Sequence, residues 1–164
     1  MLSGPSGLDL TKLRVDGFKD YLAKFPGMKV VAEKFTSTAS SEALGTMQDF
    51  LQANPDLKAV YAFNGPIAIG AVQALRAAGK KPGDVLVLTT DMEPETQRLI
   101  KDGWINATIV SQPVTMARLA VQRAVEAAEG KQIPKETLTQ ASMITKSTVD
   151  GVDLSGQQVP ADWK

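Results

Sequence analysis

Residues 58–80, KAVYAFNGPIAIGAVQALRAAGK, constrain what this chain can fold into more than any other stretch. A short apolar run of strand type, residues 59–63, is broken by Asn64, Gly65 and Pro66. Ala68, Ala71, Val72 and Leu75 then recur at helical spacing, and Gly79 sits where a glycine closes a helix. The unit is strand, tight turn, helix. Because the strand is apolar on both faces, it belongs in a parallel sheet covered on both sides. Ligands of such sheets bind beyond the carboxyl ends of the strands, where Asn64 falls.

The same alternation runs through the chain. Residues 1–7 read as a strand tail and turn, and Leu10, Leu13, Tyr21, Leu22 and Phe25 suit an amphipathic helix starting near Asp9. Residues 28–35 read as a strand, and Ser40 and Ser41 precede a helix whose Leu44, Met47 and Leu51 line one face. Val85 to Leu88 form the most apolar strand, with Thr89, Thr90 and Asp91 at its carboxyl end and a helix beginning at Pro94. Residues 106–110 are a further strand that delivers Ser111 and Gln112. A helix over 115–129 carries a small apolar stripe of Ala117, Ala120, Val121, Ala124, Val125 and Ala128; residues 138–145 read as a last strand and 146–164 as an irregular surface tail. Strand and helix at this spacing predict an α/β fold, a mainly parallel sheet with helices on both faces.

Composition narrows the function. Lys plus Arg and Asp plus Glu are 18 each, so no bulk field draws the chain to nucleic acid or anionic lipid. Without Cys or His, thiol chemistry and the commonest general base and metal ligand are missing, and no metal site or cofactor is expected. The dinucleotide glycine turn, the phosphate loop and the nucleophile elbow are absent as well, so the chain is not expected to be an enzyme. No signal peptide is legible in the first 20 residues. What remains is a binding edge. Asn64, Asp91 and Ser111 each follow a separate strand, and Arg14 reaches the same edge if residues 1–3 end a strand. An amide, a carboxylate, a hydroxyl and a guanidinium facing one crevice suit a polyhydroxylated ligand. Each also has a purely structural reading: Arg14 as a solvated helix residue, Asn64 in the turn, Asp91 as a helix cap, and Ser111, the weakest of the four, as a structural residue.

The stretches RVDGF (14–18), NGPIAIGA (64–71), TDMEPE (90–95) and ATIVSQP (107–113) resemble the ribose- and galactose-type periplasmic sugar-binding proteins, whose fold is shared by lactose-repressor-like regulators. The resemblance implies that Arg14, Asn64 and Asp91 contact sugar hydroxyls. It also implies departures: that family usually carries Asp at the position of Gly65, Gln at that of Ser111, and an aromatic ring near Thr38 and an aromatic or apolar residue near Thr90. The chain resembles the C-terminal part of such a two-lobed protein: 1–112 as the ligand-binding lobe, 113–145 as a crossover helix and strand that would dock on the other lobe, and 146–164 as a tail. The function this implies is the solute-binding lobe of a periplasmic sugar or polyol uptake system, with a membrane permease as partner of the full-length parent. The alternative is the effector lobe of a regulator. The stripe on helix 115–129, lacking its usual partner, is expected to make the fragment a homodimer.

Overall fold

The computed structural model describes residues 1–152. Three parallel strands form its centre: β1 (Ala59–Tyr61), β2 (Leu86–Thr90) and β3 (Ala107–Val110), with Val60 opposite Val87 and Leu88 opposite Ala107. A fourth strand, β4 (Ser142–Thr145), runs antiparallel to β3, giving the order β1-β2-β3-β4. Beyond β1, Leu2 bridges in parallel to Ala62 on one side and to Lys34 on the other, so residues 1–4 continue the sheet as a strand end. The α/β architecture with a mainly parallel sheet is therefore as expected.

Five helices connect these strands: α1 (Asp9–Leu22), α2 (Ser40–Ala53), α3 (Gly65–Ala77), α4 (Pro94–Lys101) and α5 (Pro113–Ala128). The 58–80 unit is built as its residues dictate. Asn64 caps α3 by accepting the Ile67 N–H at 3.1 Å, and Pro66 occupies the first turn, where a missing N–H costs nothing. At the other end Gly79 adopts a φ of 72°, and the N–H groups of Lys80 and Gly79 return to the carbonyls of Leu75 and Arg76, both at 3.0 Å. That pattern is a Schellman closure, which needs a left-handed residue. Ile67, Ala68, Ala71, Val72 and Leu75 are buried, and together with Val60, Val87, Leu99 and Ile105 they make the core.

Several expectations are corrected by packing. Residues 28–35 pair only at Lys34, because the strand end they would pair with covers no more than residues 1–4. Met28 and Val31 are accordingly exposed. The last strand is limited to Ser142–Thr145, matching the four residues of β3, and Leu138 lies outside it, 81% exposed. Helix α1 buries Thr11 and Val15 and stacks Phe18 on Tyr61 at 4.8 Å, while Leu10, Leu13 and Tyr21 face outward. Thr89 and Thr90 belong to β2 itself. The sheet is not covered evenly: Leu86, Ile109 and Met143 share one face and are 47%, 42% and 65% exposed, whereas Val60 and Val87 on the other are buried under helices. Of the tail, Val149 in a 3-10 helix (Val149–Gly151) is buried, so residues 146–152 are not all irregular surface; residues 153–164 lie outside those described.

Candidate functional site

The carboxyl ends of the strands collect polar groups, as βα units require. Asp91 follows β2 in the left-handed region, at a φ of 67°. Asp tolerates this conformation better than most residues, yet it costs free energy that the surroundings must offset. They do so through both backbone groups: the Asp91 N–H donates to the Ile109 carbonyl at 2.8 Å, and the Thr108 hydroxyl donates to the Asp91 carbonyl at 2.6 Å. The turn thereby aims the carboxylate along the sheet edge.

Both carboxylate oxygens of Asp91 are engaged. Arg14 Nη2 lies 3.3 Å from Oδ2, and the Ser111 hydroxyl donates to Oδ1 at 3.0 Å. Arg14 comes from α1, and its Nη1 also donates to the Phe63 carbonyl at 2.8 Å, with the guanidinium 4.7 Å from the centre of the Phe63 ring. The Thr90 hydroxyl donates to the same carbonyl at 2.5 Å. Arg14, Asp91 and Ser111, predicted from three separate elements, thus form one hydrogen-bonded cluster. The Arg14 and Asp91 side chains keep 19% and 32% of their surface exposed, which leaves the pair reachable by a ligand.

Asn64 is adjacent and differently employed. It follows Phe63, whose carbonyl Arg14 and Thr90 share, but its side-chain oxygen is committed to the helix cap. Its structural use is therefore realised, and only the amide nitrogen is left to face a ligand. Asp91 caps no helix; Glu93 holds the N-cap position of α4.

Two further residues stand beside the cluster and were not found from sequence. Phe63 is 5% exposed and supports the guanidinium from below; Gly4, at a φ of 73°, passes so close to its ring that a Cβ would collide with it. Glu93 lays its carboxylate over Gly65, where a side chain at 65 would otherwise project, and accepts the Thr96 hydroxyl at 2.9 Å. An acidic group thus stands near the position at which the sequence shows only glycine. The signal was the pairing of Gly65 with a glutamate at the next helix start. Thr38 is exposed, and Thr90 turns its hydroxyl to the Phe63 carbonyl, so neither supplies a ring.

Chemically the cluster offers donors on one arm and acceptors on the other. Arg14 spends two of its five donors within the protein, and each Asp91 oxygen retains acceptor capacity. One ligand hydroxyl can accept from Arg14 while donating to Asp91, in a geometry held before the ligand arrives. Among the described residues no group of three metal-ligating side chains occurs, and no helix is long and apolar enough to cross a membrane.

The chain has known relatives in both sequence and fold. The curated relatives include the ribose import binding protein of Bacillus subtilis, 31% identical over 134 residues, which are 82% of this chain and 42% of that protein. They also include a D-apiose import binding protein of Paraburkholderia graminis, 35% identical over 150 residues, 87% of this chain and 46% of the relative. Among solved structures, an ABC transporter periplasmic solute binding protein from Actinobacillus succinogenes with bound D-allose superposes with a TM-score of 0.87 at 28% identity, covering 92% of this chain and 53% of that one. The chain spans about half the length of the curated relatives it matches. The description of the periplasmic binding protein domain matches residues 1–132. By that match over most of its length, the chain belongs to the periplasmic binding protein family.

Proposed function

We propose that this chain is the solute-binding lobe of a periplasmic sugar or polyol uptake system, which binds its ligand without chemistry. Asp91, held between Arg14 and Ser111 at the ends of parallel strands, carries the reading. Arg14, Asp91, Ser111 and the Asn64 amide would together address the ligand's hydroxyls, with residues 1–112 as the lobe and 113–145 as the crossover to a second lobe. In a full-length parent that lobe closes over the ligand and the pair delivers it to a membrane permease. Relatives named for ribose and apiose import favour uptake over a regulator. The cluster lacks His and Cys, which agrees with binding rather than catalysis.

Titration calorimetry with D-ribose, D-allose and myo-inositol tests the proposal. A single lobe leaves an open crevice where enclosed pockets bury about 70–90% of their ligand, so millimolar rather than micromolar affinity is expected for at least one of them. Heats that are unchanged when Asp91 is replaced by Asn would refute it.

The exposed stripe of α5 supports a second part of this reading, a homodimer of the fragment. No described residue of α5 is buried, and Val121 and Val125 are 65% and 51% exposed. Leaving about 300 Å² of such surface in water forgoes about 7 kcal/mol at about 25 cal/mol per Å², an upper figure. Sedimentation at micromolar concentration should show a dimer that dissociates when Ala124 is replaced by Glu, because a carboxylate would be buried without a partner. A monomer at that concentration refutes the dimer.

A further inference from the structure

Asp91 is the residue at which the chain leaves β2, and the end of β3 holds it at three points. Its N–H donates to the Ile109 carbonyl at 2.8 Å, which continues the parallel ladder one rung past the pairing of Thr90 with Ile109. In a ladder that went further, the Asp91 carbonyl would accept the N–H of Ser111. Among the described residues no such bond is made. At a φ of 67° the chain turns out of the ladder instead, and the Asp91 carbonyl accepts the Thr108 hydroxyl at 2.6 Å. The Ser111 hydroxyl then donates to the Asp91 carboxylate.

The surroundings of Thr108 give its hydroxyl no other use. Thr108 is buried on the covered face of the sheet, in register with Thr89 of β2 and Ile144 of β4, which are buried as well. A valine would have the same branched shape there and would suit a strand equally. A hydroxyl in such a layer costs free energy unless it is hydrogen-bonded, and its partner among the described residues is the Asp91 carbonyl. What the hydroxyl contributes therefore falls on the turn at Asp91 rather than on the packing of the sheet.

We propose that Thr108 is a positioning residue of the binding site: it holds Asp91 in the left-handed conformation, keeps the carboxylate between Arg14 and Ser111 before a ligand arrives, and so sets the affinity without touching the ligand. This rests on Asp91 serving as the ligand's acceptor, the reading given above. A residue other than glycine rarely adopts a positive φ, and it stays there only where its surroundings over-determine the conformation. Without the Thr108 bond the turn populates other conformations. A ligand that binds only the held form then loses affinity in proportion to the fraction of chains that has left it. That factor is the same for every ligand that uses Asp91, whereas loss of a residue in direct contact changes the order in which ligands are preferred.

The test compares the 164-residue chain with its Thr108→Val and Thr108→Ser variants, and with Thr108→Ala should valine disturb the packing. Two measurements are made by NMR: the contact between the Asp91 amide and α protons without sugar, which is strong only at positive φ, and titrations with D-ribose, D-allose and myo-inositol. Thr108→Val should weaken the Asp91 contact and lower the affinity for every probe that binds by the same factor, about fivefold for one net hydrogen bond. Thr108→Ser, which restores the hydroxyl, should recover both. A Thr108→Val chain that melts lower but keeps the Asp91 contact and its affinities would show a merely structural role and overturn the proposal. A changed order of preference among the probes also overturns it, by showing that Thr108 acts on the ligand directly. If no probe binds the parent, the sugar reading fails instead, and the Asp91 contact alone then decides for or against Thr108 as the residue that holds the turn.

Discussion

Replacing Asp91 by Asn should weaken ligand binding by at least tenfold while leaving the fold intact. Asn accepts the left-handed conformation that residue 91 adopts and keeps the side chain's shape, so the turn after β2 should survive. The negative charge is lost, and with it the ion pair that positions Arg14 and the charge-assisted acceptor for a ligand hydroxyl, a bond worth about 1.5–3 kcal/mol. Asp91→Ala should bind no better and should also lose stability, since alanine is strained at this φ. Calorimetry against the sugar with the strongest heat, paired with thermal denaturation, separates the two effects. A variant with Asn at 91 that binds as the parent does would remove Asp91 from the site.

The second large effect is expected at Gly70, in the middle of α3. Helix α3 crosses α2 so closely that a Cβ at residue 70 would run into the Ser40 carbonyl oxygen and the Ala43 methyl. Backbone cannot yield as a flexible side chain can, so Gly70→Val should cost about 3 kcal/mol or more, lowering the melting temperature by about 10 °C for a chain of this size. Intrinsic propensity points the other way, because any other residue except proline is a better helix former than glycine. Gly45, in the interior of α2, has open space around its missing Cβ. Gly45→Ala should therefore stabilise by up to about 1 kcal/mol, the gain that glycine's backbone freedom forgoes. If both variants shift the melting temperature in the same direction, close packing is not what keeps glycine at 70.

Much of this was legible along the chain. The 58–80 unit carries a cap, an N-terminal proline, an apolar helical stripe and a closing glycine, all local signals acting within a few residues, and it folds as those signals direct. The alternation of such units was sufficient for a parallel α/β sheet, and the sheet alone requires that residues following separate strands meet at one edge. Arg14, Asp91 and Ser111 meet there. Local signals also made Asn64 a cap, which the sequence could state only beside its use in a site.

Tertiary structure decided the rest, wherever a residue's role depends on which neighbour is present. Residues 28–35 have the composition of a strand, but a strand exists only where another backbone satisfies its hydrogen bonds, and here that partner reaches no further than residues 1–4. The outward side of α1 carries Leu10, Leu13 and Tyr21, and the buried side was selected by what Val15 and Phe18 could touch, not by hydropathy. Glu93 reached Gly65 across two elements, a contact that no spacing encodes. Periodicity and caps are properties of a few consecutive residues and so are written in the sequence; pairing partners and covered faces belong to the assembled sheet, because only packing determines which hydrogen bonds and which apolar surfaces remain to be satisfied.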